Sequence, residues 1–158
     1  MKEGAEKIPD LQDSLVILTG LSDEKVERIG RKLYSDLFLT NARNGIHLAH
    51  DGDKVYFWER QFNHSFFISP LKELVDKSRI ARMRWILPLI QGKVPDSECR
   101  RVTHGFKPDN RLYVWIPRNF VVWLEPRDAG GWKFYTLYTV TRNQLRGYQR
   151  KGKQIWHY

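Results

Sequence analysis

A histidine within an aromatic segment is a first candidate for acid–base chemistry. His64 lies in residues 61–69, between Phe62 and Phe66. A neutral imidazole is the side chain best suited to proton transfer near pH 7, so His64 is a candidate general acid or base. A histidine between two phenylalanines is more often a hydrogen-bonded packing residue, and this alternative stays open.

Two arginines three residues apart form a candidate phosphate clamp. The apolar spacing of residues 70–91 predicts a helix, on which Arg79 and Arg82 would be neighbours, with Arg84 close by. Two adjacent guanidiniums without nearby acids repel each other. A phosphate would relieve that repulsion and accept paired hydrogen bonds. An ordinary solvated face is the alternative.

Two hydroxyls are predicted to share one face of a β-hairpin. Residues 120–125 and 132–141 are β-branched and aromatic, and residues 126–131 contain Pro, Asp and Gly-Gly, which favour a tight turn. Strict alternation places Thr136 and Tyr138 together among apolar neighbours. A core hairpin with incidental hydroxyls remains an alternative. The predicted faces are Trp132, Phe134, Thr136, Tyr138 and Val140 on one side, and Lys133, Tyr135, Leu137, Thr139 and Thr141 on the other.

The elements that would position these residues predict an α+β fold. Ser22 caps a helix that ends near Leu39, and residues 46–50 and 54–59 flank an Asp-Gly-Asp turn. The helix at 70–91 follows, and Pro88 should kink or shorten it. We therefore expect N-terminal helices, then a four-stranded antiparallel meander, then a short basic C-terminal tail. The four strands are expected at 98–103, 111–116, 120–125 and 132–141. After them, Thr141 or Asn143 is expected to cap a short final helix.

Domain organisation is predicted as a helical extension with a hairpin at residues 1–55 and an α+β domain at 56–158. No repeat and no shift in composition separates the two parts. One compact domain overall is therefore the alternative. The chain of 158 residues is long enough for a single sizeable core.

The positive charge is confined to the C-terminal third. The first 99 residues hold 15 basic and 15 acidic residues, whereas the last 59 hold 12 basic and 3 acidic residues, which accounts for the net charge of +9. Basic residues interleaved with Trp and Tyr suit a polyanion whose bases can stack. We expect a nucleic-acid partner, with a solvated basic face as the alternative.

Several classes of protein and site are disfavoured. The chain has one cysteine, Cys99, which excludes a disulfide framework, and it shows no apolar run near the ~20 residues of a membrane span. His47 and His50 lie near a turn without a convincing third ligand, so we interpret them as surface histidines. We expect a cytoplasmic protein with no membrane partner, no metal and no cofactor.

One alternative site would need a metal. Pro95-Asp96 and Glu125-x-Arg127 loosely resemble the metal-dependent PD-(D/E)xK nucleases. The terminal residue of this motif is Arg here rather than Lys, and Asp96 lies in a predicted turn.

From Phe62 to about Tyr148 the chain resembles phage-associated nucleases of the barnase–EndoU–colicin–RelE group. The resemblance depends on the order of the matching segments and on the helix-then-strand layout. The matching segments are F-N-H at 62–64, R-x-R-W-I at 82–86, P-D at 95–96, L-Y-V at 112–114, V-V-W-L-E at 121–125, G-W-K-F at 131–134 and T-x-Y at 136–138.

The resemblance implies a metal-independent endoribonuclease, toxin-like or phage-associated. In this reaction the RNA 2′-hydroxyl attacks the adjacent phosphorus and leaves a 2′,3′-cyclic phosphate. The reaction needs an acid, a base and cations around the phosphorane. The implied roles are acid or base for His64, a further base for Glu125, phosphate clamps for Arg79 and Arg82, and phosphate orientation or proton relay for Thr136 and Tyr138.

The implied partners are RNA, for instance tRNA or mRNA, and an inhibitor or immunity protein. A non-catalytic module for RNA or single-stranded DNA and a phage-encoded interaction protein are the alternatives. Nucleic-acid contacts are expected from Arg84, His104, Lys107, Lys133, Arg142, Arg146, Arg150 and Lys151.

Overall fold

A mixed sheet of seven strands organises the protein. The structure, a computed structural model, describes residues 14–40, 43–68, 74–104 and 107–158. The strand order across the sheet is β1-β2-β6-β5-β4-β3-β7. The strands are β1 (Ile46–Leu48), β2 (Lys54–Tyr56), β3 (Ser97–His104), β4 (Lys107–Trp115), β5 (Phe120–Pro126), β6 (Trp132–Thr139) and β7 (Lys153–His157).

Short helices surround this sheet. The α-helices are α1 (Asp23–Tyr34), α2 (Arg60–Ser65), α3 (Lys77–Ala81), α4 (Ile86–Ile90) and α5 (Arg142–Lys151). A π-helix follows α1 at Ser35–Thr40, and 3₁₀ turns lie at Arg43–Gly45, Met83–Trp85 and Ile116–Arg118.

The α+β class agrees with the sequence analysis, but the predicted four-stranded meander is wrong. The four predicted strands are β3 to β6, and consecutive members do pair antiparallel. Three further strands join them, and β2 runs parallel to β6, which makes the sheet mixed. The predicted basic tail contributes β7, which pairs with β3. Strands of three to five residues carry little periodicity, so their partners cannot be read from the sequence.

The segment assigned to an N-terminal extension shares the sheet and the core with the rest of the chain. Val55 of β2 pairs with Trp132 of β6. Val26 and Tyr34 of α1 are buried in the same apolar cluster as residues of the sheet. The described part of residues 1–55 is therefore packed against the remainder rather than separated from it.

The predicted helix at 70–91 is wrong within its described part. Val75 forms an antiparallel bridge with Phe67, and the chain then makes α3, a 3₁₀ turn and α4. Arg82 has φ −101° and ψ 6°, outside the helical region, so it ends α3. Pro88 within α4 provides no backbone N–H, which limits the final helix. The predicted start of this helix, at residues 70–73, lies outside the described residues.

Each face of the sheet has its own apolar cluster. The main core lies under the N-terminal helices and includes Phe38, Phe57, Phe66 and Phe134. The rings of Phe38 and Phe57 stack in parallel with centroids 4.4 Å apart. We call the opposite face of the sheet the second face. A smaller apolar cluster on the second face packs against α5. Its members include Leu112, Val114, Val121, Trp123, Leu145 and Tyr148.

A bulge in β6 changes the predicted alternation. Thr136 pairs with Trp123 and Phe134 pairs with Leu124, so Tyr135 is an extra residue between them. Phe134 and Leu137 both belong to the main core, whereas Tyr138 packs against the cluster on the other face. The prediction that Phe134 and Tyr138 share a face is therefore wrong. An inserted residue shifts every later side chain to the other face, and no residue type in this segment marks the insertion.

Helix α5 crosses the second face between the end of β6 and the outer strand β7. The Thr141 hydroxyl accepts from Gln144 N, and the Gln144 side chain accepts from Thr141 N, which completes a capping box. Leu145 is buried on the underside of the helix. The short final helix predicted from Thr141 is thus present.

The β1–β2 hairpin is held to the sheet by an ionic and aromatic contact. Arg111 Nη2 lies 2.6 Å from Asp51 Oδ2 and 3.0 Å from Asp53 Oδ2. The same guanidinium lies 4.4 Å from the centroid of the Trp132 ring. Trp132 Nε1 donates to Asp53 as well. These contacts join the hairpin turn to β4 and β6.

We predict that Gly45→Ala destabilises the fold more than Gly52→Ala. Both glycines have positive φ, so either alanine costs ~1–2 kcal/mol of backbone strain. A Cβ at Gly45 would also collide with the Phe57 carbonyl oxygen, whereas a Cβ at Gly52 would meet no atom within 4 Å. Urea unfolding should show a further loss of ~1–3 kcal/mol for Gly45→Ala. Equal losses for the two variants would contradict this packing of the hairpin.

Candidate active site

Two side chains of α2 bind the backbone of β6 at the bulge. The Tyr135 carbonyl accepts from Gln61 Nε2 at 2.5 Å and from Ser65 Oγ at 2.6 Å. Ser65 is fully buried. The register of β5 and β6 shifts at this bulge. The contact places α2, and hence His64, against the edge of the sheet.

His64 lies beside the second face. Its ring packs against the Tyr135 ring with centroids 5.0 Å apart. The side chain is exposed, unlike its buried neighbours Phe62 and Phe66. His64 therefore lies outside the apolar core, although its ring packs against Tyr135. An exposed imidazole can reach a ligand and exchange protons with solvent.

Arg79 joins α3 to the same edge. Its Nη1 donates to the Ser65 carbonyl at 2.9 Å and lies 3.4 Å from Thr136 Oγ1. The guanidinium lies 5.6 Å from the centroid of the Tyr138 ring. Asp76 caps α3 and forms an ion pair with Arg79 Nε at 3.3 Å. The guanidinium thus has a fixed position beside two hydroxyls.

Tyr138 belongs to a hydroxyl network beneath α5. Its oxygen accepts from Trp123 Nε1 at 2.6 Å and lies 3.2 Å from the Tyr148 hydroxyl. Burial raises the pKa of Tyr138 well above its ordinary value, and the hydrogen bond with Tyr148 raises the pKa further. Tyr138 therefore stays a neutral phenol at physiological pH and cannot act there as a base.

Together, four side chains form what we call the edge cluster: His64, Arg79, Thr136 and Tyr138. Thr136 pairs with Trp123 and Tyr138 pairs with Val121, both of the second-face cluster. The edge cluster thus combines an exposed imidazole, a cation and two hydroxyls at one border of the second face. These are the group types that a phosphoryl-transfer site requires.

The described contacts of Arg82 are with residues outside the edge cluster. Its Nη1 donates to the backbone and the hydroxyl of Ser78, and its guanidinium lies 5.3 Å from the centroid of the Trp85 ring. Because α3 ends at Ala81, the two arginines do not share a continuous helix face as predicted. Arg79 is therefore the arginine that contacts Thr136 and Tyr138.

Glu125 is a buried carboxylate on the second face. Its exposed fraction is 4%, and its Oε1 lies 4.0 Å from Lys133 Nζ, its cross-strand neighbour. Along β5 it is two residues from Trp123, which pairs with Thr136, so it lies roughly 7 Å farther along the strand. Glu125 thus shares the face of the edge cluster, which the sequence left undecided.

The predicted nucleic-acid contacts on α5 are solvent-exposed. Arg146 and Arg150, with Asn143 and Gln149, line an open depression of about 440 Å³. Arg84 is exposed on the 3₁₀ turn before α4. The side chains of His104 and Lys107 lie outside the described part of the structure. Exposed basic residues of α5 are Arg142, Arg146, Arg150 and Lys151.

The alternative metal site does not assemble. Asp96 directly precedes β3. At this end of the sheet Ser97 pairs with Trp115, and Trp115 pairs with Phe120, the first residue of β5. Glu125 lies five residues farther along β5, roughly 16 Å from that end. Among the described residues, no group of three or more His, Cys, Asp or Glu side chains is placed to bind a metal ion.

The histidines near the first hairpin are structural rather than freely exposed. His47 Nε2 lies 2.9 Å from the Phe38 carbonyl, and His50 Nδ1 lies 2.6 Å from the Tyr113 hydroxyl. Burial lowers the pKa of His50. Their interpretation as surface histidines is therefore wrong, since both are half-buried. Burial also raises the pKa of the Cys99 thiol to about 12, which disfavours a nucleophilic role.

The sequence analysis missed the residues that hold the edge cluster in place. Gln61 and Ser65 are spaced i, i+4 within an otherwise aromatic segment, and this polar spacing was a usable signal. Tyr148 offered no such signal, because its link to Tyr138 depends on how α5 crosses the sheet.

Comparisons with known proteins assign this chain to no family. No protein-family model matches it, and no curated protein sequence and no solved structure resembles it significantly. Within the described residues, no helix combines the length and the apolar character of a membrane span.

We predict that Tyr138→Phe destabilises the protein by ~1–3 kcal/mol, because Trp123 Nε1 loses a buried acceptor. Tyr148→Phe is the matched control and should cost at most ~1 kcal/mol, since Tyr148 is half-exposed. Chemical denaturation of both variants measures the difference. A larger loss for Tyr148→Phe would show that the network is anchored elsewhere.

Proposed function

We propose that the protein is a metal-independent endoribonuclease that cleaves RNA by attack of the 2′-hydroxyl on the adjacent phosphorus. The main support is that Arg79 contacts Thr136 and Tyr138, while His64 packs against Tyr135, the chain neighbour of Thr136. The order of sequence motifs from Phe62 to about Tyr148, which resembles nucleases of the barnase–EndoU–colicin–RelE group, implies the same reaction, while no family model matches the chain. The exposed arginines of α5, on the same face, are suited to binding an RNA backbone.

In the proposed reaction the scissile phosphate lies against Arg79. The 2′-oxygen bonds to phosphorus, the bond from phosphorus to the 5′-oxygen breaks, and a 2′,3′-cyclic phosphate and a 5′-hydroxyl result. The guanidinium of Arg79 neutralises the charge that develops on the phosphorane oxygens. Thr136 and the neutral phenol of Tyr138 orient the phosphate by hydrogen bonds.

His64 carries one of the two proton transfers in this proposal. Its exposed ring can take the proton of the 2′-hydroxyl or give one to the leaving 5′-oxygen. Tyr138 does not act as the base, because its raised pKa keeps it protonated. Glu125, a buried carboxylate on the same face, is the proposed partner for the second transfer.

The proposed substrate is RNA, for instance tRNA or mRNA. A protein inhibitor or immunity protein that covers the same basic surface is a further proposed partner. An acidic surface would suit this role, because opposite charges steer such partners together.

We predict that RNA cleavage persists in EDTA and that His64→Ala lowers the rate ~10²–10⁴-fold while RNA binding changes little. Single-turnover kinetics with a labelled RNA measures the rate, and mapping of product ends should find cyclic phosphates. His157→Ala is the matched control, because His157 is an exposed histidine on β7, outside the edge cluster.

Two results would contradict this proposal. The first is cleavage of DNA, or of RNA methylated at the 2′-oxygen, because neither offers an attacking 2′-hydroxyl. The second is tight RNA binding without cleavage of any nucleic acid, which would leave the non-catalytic binding module as the better interpretation.

We predict that Arg79→Lys lowers kcat/KM ~10²–10³-fold, as loss of one preorganised donor does in other enzymes. Lysine keeps the positive charge but lacks the planar guanidinium, whose several N–H groups can donate to Ser65, Thr136 and a phosphate at the same time. Arg82→Lys is the control, because Arg82 contacts Ser78 and Trp85 instead. Separate kcat and KM values test the assignment, and a larger effect of Arg82→Lys would overturn it.

A further inference from the structure

A stack of aromatic rings and guanidiniums lies beside β2. The rings of Tyr56 and Trp58 are nearly parallel, with an interplanar angle of 29° and centroids 6.3 Å apart. The Arg127 guanidinium lies 3.6 Å from the centroid of the Tyr56 ring and 5.9 Å from that of Trp58. Arg60 lies 5.2 Å from the Trp58 centroid. We call these four residues the aromatic shelf.

The aromatic shelf lies on the second face of the sheet. Val55 and Phe57 are buried in the main core, so the alternating residues Tyr56 and Trp58 are directed to the opposite side. Tyr56 also pairs with Lys133 of β6. The shelf therefore continues the face that carries the edge cluster.

Packing alone does not account for the shelf. Tyr56 and Trp58 are half-exposed, and Arg60 is exposed at the start of α2. The described contacts of Arg60 and Arg127 are aromatic faces and the Gly130 carbonyl. Cations seated on partly exposed aromatic rings offer both a stacking surface for bases and positive charge for phosphates.

The distance between the shelf and the edge cluster suits one continuous strand. Lys133, beside Tyr56, and Thr136 pair with Glu125 and Trp123, which are two residues apart on β5, so the separation is roughly 7 Å at ~3.3 Å per residue. His64 lies on α2, which begins at Arg60 of the shelf. A ligand held on the shelf would therefore reach the edge cluster without leaving this face.

We propose that the aromatic shelf binds unpaired bases of single-stranded RNA next to the scissile phosphate. The identity of the ligand rests on the proposed function. A base stacks on the Trp58 ring, while Arg60, Arg127 and Lys133 contact the flanking phosphates. Duplex RNA is a poor ligand, because its bases are paired and their faces are covered by neighbouring bases. The shelf thus selects single-stranded substrate for the edge cluster.

The test measures binding separately from cleavage. A short fluorescent single-stranded RNA, methylated at every 2′-oxygen, serves as an uncleavable probe. Trp58→Ala should weaken its binding roughly 5- to 150-fold, the range that loss of one stacked base produces. Trp58→Phe keeps an aromatic face and should retain most of the affinity. Tyr158→Ala is the control, because Tyr158 is an exposed aromatic residue after β7.

Removal of a base from the probe identifies the stacked position. One abasic probe should bind wild-type protein as weakly as Trp58→Ala binds the full probe, and the two changes together should cost no more than either alone. Three results would overturn the proposal that the shelf binds unpaired bases. They are unchanged binding by Trp58→Ala, additive losses for every abasic position, and equally tight binding of duplex RNA.

The shelf and the ribonuclease proposal can fail independently. Binding that depends on Trp58 without cleavage of unmethylated RNA would contradict the ribonuclease and support the shelf. Cleavage with equal kcat/KM for wild-type protein and Trp58→Ala, on a dinucleotide and on a longer RNA, would contradict the shelf alone.

Discussion

The carbonyl of Tyr135 is the constraint on which the arrangement of the second face depends. The side chains of Gln61 and Ser65 bind this group at the β6 bulge. The Ser65 carbonyl in turn accepts from Arg79. These hydrogen bonds hold α2 and α3 against the sheet edge, because carbonyl groups removed from water need donors within the protein.

The two faces of the sheet differ because the helices are distributed unequally. The N-terminal helices bury an aromatic core on one face, whereas α5 crosses only part of the other. The region beside α5 keeps half-exposed polar and aromatic groups, among them Tyr135 and Tyr138. The partly buried hydrogen bond between Trp123 and Tyr138 joins β5 to β6 beneath this region. A rigid, partly open, cationic face is suited to bind a polyanion with defined geometry.

In the proposed function the edge cluster carries the chemistry and the aromatic shelf carries the recognition of RNA. Arg79 is the proposed contact for phosphate, and Trp58 is the proposed stacking surface for a base. The edge cluster and the aromatic shelf lie on one face and are linked through β6 and α2. A substrate held on the shelf would therefore have a higher effective concentration of its scissile phosphate at the edge cluster. Tyr138 has a structural role in the hydroxyl network that is separate from any role in catalysis.

The sequence by itself determined the α+β class, the first hairpin, the strands β3 to β6, the capped α5 and the basic C-terminal third, because these depend on local periodicity, turn residues and composition. It also indicated His64, Arg79, Thr136 and Tyr138 as residues of interest. Tertiary structure alone decided the parallel pairing of β2 with β6, the added strand β7 and the choice of Arg79 over Arg82 at the cluster. Short strands and a single inserted residue leave no local signature, since their geometry is set by partners distant in the chain.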